Sequence, residues 1–173
     1  LCQSSKASEI IRLHSHDIRL HDPLSALRLL LFDAVICNTD RRPGNLHLGR
    51  DVHLSEFSNS QYLLPLDHGR SIFNATGDAC SKVRVTPVQA ITGNSTEGVP
   101  NQLLRYVTQI SGREPGKLVV PGNEFLLRLA TACRSMSVGF DDYSDELEFI
   151  LANIFEVKED LFGFYESIFE GVN

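Results

Sequence analysis

No C-x-x-C pair occurs in this sequence. The four cysteines, Cys2, Cys37, Cys80 and Cys133, lie far apart. That scatter excludes the usual zinc signatures and a compact disulfide framework, and it favours reduced thiols. No apolar run approaches the roughly 18 residues that a membrane-spanning helix needs. An excess of positive charge is also missing. The formal net charge is −6, which argues against a general binder of nucleic acid or of anionic membranes. Internal repeats and low-complexity tracts are absent. Together these absences lead us to expect a cytoplasmic protein with no transmembrane segment and no nucleic-acid partner.

What remains is an ordinary globular composition, with 42% hydrophobic and 22% charged residues in a chain of 173. That length suffices for one domain with a substantial core. The chain begins with Leu, so we expect a cropped or processed piece whose targeting signals lie outside it. Two N-x-S/T triplets, at Asn74 and Asn94, would matter only in a secreted protein.

Along the chain, residues 1–13 are polar and then helix-compatible. Residues 14–22 read as a loop. Its His14, His16 and His21, with Asp17, form either a metal cluster or a solvated stretch of incidental histidines; no standard zinc spacing fits them. Asp22-Pro23 is a helix start, with a capping carboxylate followed by Pro at the first helical position. Residues 24–37 are apolar almost all round and predict a buried central helix. Pro43-Gly44 forces a turn. Two weakly alternating runs then suggest a short hairpin turning at Gly49-Arg50, and residues 62–66 a buried strand. Residues 74–100 are rich in Gly, Ser, Thr and Asn, with Lys82 and Arg84 on an alternating run. They suggest an irregular, substrate-facing segment, in which Thr86-Pro87 can begin one helical turn. Helices are expected over 100–110, over about 123–135 after a Pro/Gly loop at 113–121, from Ser144 onward, and over about 158–170. The Phe residues of the last helices read as core.

Two short motifs carry chemistry. Asn38-Thr39-Asp40-Arg41-Arg42-Pro43-Gly44-Asn45 places an Asn five residues after an Asp. Leu66-Asp67-His68-Gly69 is an Asp-x-Gly at the end of an apolar run. Phosphoryl transfer from ATP needs one carboxylate to orient the attacking hydroxyl and accept its proton. It also needs an amide oxygen and a second carboxylate to hold the metal ions on the phosphates. Asp40, Asn45 and Asp67 are of those types. The bland alternatives are a helix-ending turn for the first motif and a strand-ending turn for the second.

The stretch from Phe32 to Asn45 resembles the catalytic loop of the atypical kinases, which reads roughly N-x-D-R-x-x-x-N. These are the HipA-like kinases, the phosphatidylinositol 4-kinases and the actin-fragmin kinases. Leu64-Pro-Leu-Asp-His-Gly-Arg-Ser-Ile-Phe73 is similar to the I-D-N/H-G-x-x-F segment of the phosphatidylinositol-4-kinase-like members. The likeness covers residues 22–73, and the helical remainder only in outline. It implies a mainly α fold with a small β component, the C-terminal lobe of a protein-kinase-like fold. The catalytic and metal loops would occupy 38–73, an activation-like segment 74–100 and helices 101–173. It implies an ATP- and Mg2+-dependent transfer to a hydroxyl, with protein Ser/Thr preferred over an inositol lipid. Asp40 would be the catalytic carboxylate, and Asn45 and Asp67 would bind Mg2+ and with it the nucleotide. Arg41 would either neutralise phosphate charge or pair with a nearby carboxylate.

Only 39 residues precede Asp40. An N-terminal kinase lobe needs on the order of 60–80 residues for its strands and helix. No glycine-rich loop lies there, and Lys6 is the sole lysine. The resemblance therefore implies that the N-terminal lobe is absent from this chain and is supplied upstream or by another chain. Two other functions compete: a degenerate kinase-like lobe that serves as a protein-binding module, and a metal-dependent hydrolase using His14, His16 and Asp17.

Overall fold

In a computed structural model the protein is described over residues 2–5, 19–20, 22–39, 41, 45–51, 60–65, 85–92, 102–137 and 144–171. The architecture is mainly helical with one small sheet. The elements run β1 (Cys2–Ser5), β2 (Arg19–Leu20), α1 (Leu24–Val35), β3 (Leu46–Asp51), β4 (Ser60–Pro65), α2 (Pro87–Thr92), α3 (Gln102–Ser111), α4 (Gly116–Ser137), α5 (Ser144–Glu159) and α6 (Leu161–Glu170).

Helix α1 is the hub, as its all-round apolar pattern predicts. It touches α2, α3, α4, α5 and β4, and Ala26, Leu27, Leu30, Leu31, Ala34 and Val35 are fully buried or nearly so. Each large aliphatic side chain buried this way contributes about 1.5–3 kcal/mol. Its start follows the expected chemistry. The Asp22 carboxylate accepts the Leu24 N–H at 2.9 Å, and the Arg28 guanidinium pairs with that carboxylate.

The sheet has the order β1-β3-β4-β2. β3 runs antiparallel to both β1 and β4, and β2 runs parallel to β4. This corrects the expected hairpin at Gly49-Arg50. Those two residues lie inside one continuous strand, because β1 and β4 flank it on both sides and supply ladder partners along its length. Residues 2–5, in the polar start of the chain, and 19–20, expected to be loop, are strands for the same reason: the β3–β4 pair offers each of them an edge. The expected strand near 62–66 is β4.

Two helical expectations also need correction. The Pro/Gly stretch expected as a loop at 113–121 is one only as far as Pro115, since α4 starts at Gly116 and carries Pro121 in its interior. Proline there removes one hydrogen bond, and packing compensates. Gly122 lies so close to the Tyr165 ring and hydroxyl that a Cβ would collide with the hydroxyl oxygen. The Tyr165 hydroxyl donates to the Leu118 carbonyl at 3.3 Å, so α6 docks where α4 is thinnest. Phe155 and Phe162, expected to face inward, are 48% and 47% exposed. Phe155 instead lies under the Arg134 guanidinium. The remaining apolar residues expected on the last helix, Leu161, Phe164, Tyr165, Ile168 and Phe169, are buried.

Candidate functional site

The Asn38–Asn45 loop leaves from the C-terminus of α1, and that helix end is closed by a specific pattern. The Asn38 N–H donates to the Asp33 carbonyl at 2.8 Å and the Cys37 N–H to the Ala34 carbonyl at 3.1 Å. This is a Schellman closure, which needs the residue after the cap in the left-handed region. That residue is Cys37, with φ of 51°. A left-handed conformation costs a non-glycine residue roughly 1–2 kcal/mol. The same closure ends α3, where Gly112 takes the left-handed place at φ of 63° and Arg113 donates to the Thr108 carbonyl. At α1 the first left-handed position is a cysteine and at α3 a glycine, followed there by Arg113 at φ of 60°.

The cysteine has contacts that glycine lacks. Its thiol donates to the Val85 carbonyl at 3.3 Å, just ahead of α2. The Asn153 amide of α5 donates to the Val35 carbonyl at 2.8 Å and lies 3.5 Å from the Cys37 sulfur. Helix ends leave four carbonyls without intrahelical partners. At α1 the carbonyls of residues 33 and 34 are satisfied by the turn and that of 35 by a side chain from another helix.

Inside this frame sits a buried ion pair. Asp33 faces the core from α1, and its side chain and that of Arg41 have no solvent exposure. Arg41 Nε donates to Asp33 Oδ2 at 2.8 Å and Nη2 to Oδ1 at 2.7 Å. Asn38 Nδ2 adds a third donor to Oδ1 at 2.9 Å. The remaining guanidinium nitrogen, Nη1, donates to the Asn45 carbonyl at 2.8 Å. One planar cation therefore ties the helix to the far end of the loop at Asn45, using the bidentate fork that lysine lacks, while Asn38 holds the near end to the same carboxylate. Of the two roles expected for Arg41, the geometry is that of pairing with a carboxylate.

The sheet bears on the approach to the second motif, which begins one residue after β4. The antiparallel register pairs Leu46 with Pro65. Asn45 is the residue immediately before Leu46, and Asp67 follows Pro65 by two positions. The end of β3 that carries Asn45 therefore lies beside the end of β4 from which the chain runs on to Asp67. Asn45 itself is half-buried. Asp40 and Asp67 lie outside the described residues, as do His14, His16, Asp17, His21, Lys82 and Arg84.

Among the described residues no group of three or more His, Cys, Asp or Glu side chains is placed to hold a metal ion. Asn45 and Asp67, the residues expected to bind Mg2+, would offer one amide oxygen and one carboxylate. Hard oxygen ligands of this kind suit that ion, which takes one or two protein carboxylates plus phosphate and water. A cleft of about 350 Å³ lies elsewhere, between α2, α5 and α6. It is lined by Glu156, Asp160, Glu166 and Glu170, with Val88 and Phe164 among its apolar walls. It shares no residue with the loop, and its negative rim opposes a phosphate ligand.

Sequence reasoning missed Asp33 and Asn153. Asp33 had one signal, a lone carboxylate in an otherwise apolar helix eight residues before an Arg. Asn153 had none, because its partner lies 118 residues away along the chain. No helix among the described residues is long and apolar enough to cross a membrane. Neither a family model, nor a curated protein, nor a solved structure matches this chain.

Proposed function

We propose that this chain is the catalytic lobe of a phosphotransferase that moves the terminal phosphoryl group of ATP to a hydroxyl, preferably of a protein Ser or Thr. The observation that carries the proposal is the Leu46–Pro65 register. It sets Asn45, just ahead of β3, beside the end of β4 from which the chain runs on over two residues to Asp67, which is consistent with a site that uses both residues. Arg41 adds to it by fixing the residue next to Asp40 against Asn45.

In this reading Asp40 orients the acceptor hydroxyl and takes its proton as the hydroxyl oxygen bonds to the terminal phosphorus and the bond from that phosphorus to ADP breaks. The Asn45 amide oxygen and the Asp67 carboxylate are the metal ligands. Bound Mg2+ would neutralise phosphate charge. Arg41 works one step removed: it is spent on Asp33 and holds the loop instead of touching phosphate. Catalysis of this type is almost wholly positioning and electrostatics, so a rigid loop is the main thing the protein contributes.

An adenine-binding lobe would complete the site, from upstream sequence or from a second chain. Residues 1–39 contain no glycine and only one lysine, Lys6, so we expect little ATP turnover by these 173 residues alone; robust turnover would refute that expectation. The decisive comparison is nucleotide binding with and without Mg2+ in the wild-type chain and in Asp67→Ala. Mg2+-dependent binding that disappears in the variant supports the phosphotransferase. Identical behaviour of the two proteins supports a catalytically degenerate lobe that serves as a protein-docking module.

A further inference from the structure

We infer that Asn153 is a positioning residue for the Asp40 loop, acting through the left-handed turn at Cys37; this rests on the phosphotransferase reading above. Asn153 lies on α5 and is 2% exposed. It meets the helix end from which the loop departs, donating to the Val35 carbonyl and approaching the Cys37 sulfur. The Cys37 thiol in turn donates to the Val85 carbonyl. Three segments distant in sequence, α1, α5 and the lead into α2, therefore meet at one turn, three residues before Asp40. The direction in which the chain leaves that turn sets where Asp40 can lie.

The two Schellman closures among the described residues differ at the first left-handed position, although Arg113, one residue past Gly112, also has a positive φ of 60°. Where α3 ends, glycine occupies that first position. Where α1 ends, a side chain is kept at a conformation that opposes side chains. That side chain forms the link between the turn and its two neighbours. A turn held only by its backbone would be free to rock between left-handed and extended geometry; the asparagine and the thiol remove that freedom. Asn153 thus supplies order to the loop without contacting any reactant.

The test uses the full 173-residue chain. Asn153→Leu keeps the volume and removes the donor. Amide hydrogen exchange followed by NMR should be about tenfold faster or more at residues 37–41, with α4 and α6 amides unchanged. Cys37→Gly by itself, which removes the thiol link to Val85 and leaves the left-handed turn accessible, should also speed exchange at residues 37–41. Mn2+ binding, read by electron paramagnetic resonance as a probe for the Mg2+ site, should weaken about tenfold in Asn153→Leu. Unchanged exchange at 37–41 overturns the inference. So does an equal rise in every helix, which is the mark of a purely structural residue. If Asn153→Leu does not fold, Asn153→Ser gives the same comparison, its hydroxyl being too short to reach the Val35 carbonyl. A wild-type chain that binds no Mn2+ overturns the phosphotransferase reading and with it the catalytic part of the assignment, whereas the exchange data alone judge whether Asn153 orders the loop.

Discussion

Arg41 can be replaced in ways that separate its charge from its shape. Arg41→Ala leaves Asp33 a buried carboxylate stripped of its bidentate cation, and breaking such a pair costs about 3–5 kcal/mol. Arg41→Lys keeps the charge, but a point-like ammonium cannot serve both Asp33 oxygens and the Asn45 carbonyl together. Urea unfolding should therefore rank wild type above Arg41→Lys and Arg41→Lys above Arg41→Ala. The double replacement Asp33→Leu with Arg41→Met should lose less than Arg41→Ala, because no charge is stranded. Gly122 gives a second test at the level of one atom. A Cβ there would run into the Tyr165 hydroxyl oxygen. Tyr165 is fully buried and has little room to retreat, so Gly122→Ala should destabilise by about 1–3 kcal/mol in the same assay.

Helix α2 is only six residues long, so its ends matter more than its propensity. Thr86 and Gln89 form a capping box: the Thr86 hydroxyl accepts the Gln89 N–H at 3.2 Å, and the Gln89 side-chain oxygen accepts the Thr86 N–H at 3.0 Å. Pro87 occupies the first helical position, where no N–H is needed. Thr86→Ala should cost about 1 kcal/mol in denaturant-induced unfolding. The effect should be felt at the loop, because the cap begins next to Val85, whose carbonyl accepts the Cys37 thiol. Helix α6 starts with a comparable device, the Asp160 carboxylate accepting the Gly163 N–H at 2.9 Å. Helix α4 shows the opposite case: Pro121 and Gly122 read locally as a break, yet docking of Tyr165 carries the helix through them.

The whole molecule should lose stability on the alkaline side. Burial raises the pKa of Tyr165 well above its ordinary value of 10.0, raises that of Tyr106 above the same value, and raises that of Cys133 above 9.0. The unfolded chain therefore releases these protons at lower pH than the folded one. Their contribution is complete below the unfolded values and is lost as pH climbs through the folded ones. Urea midpoints should be flat up to about pH 8 and fall progressively toward about pH 11. Tyr165→Phe should make that fall shallower, while costing roughly 1 kcal/mol at neutral pH through loss of the bond to Leu118. An equally steep alkaline fall in the variant would show that Tyr165 is not a main source of it.

The placement of α1, the starts of α1 and α2, β4 and the burial of most of the last helix could be read from the residues in order. Each depends on neighbours a few positions apart: a capping carboxylate, a proline, a run of leucines, a period of 3.6. The spacing of Asp40, Asn45 and Asp67 is legible in the same way. Three matters belonged to the folded chain. Arg41 faces Asp33 because the turn at Cys37 brings the loop back along α1. β3 is one strand and not a hairpin because β1 and β4 compete for its edges. Asn153 meets Val35 because α5 packs on α1 from the far end of the sequence. Local signals act through covalent neighbours and leave a pattern in the text of the chain. A hydrogen bond between residues 118 positions apart exists only once the core has closed around both partners, and no short window of sequence contains it.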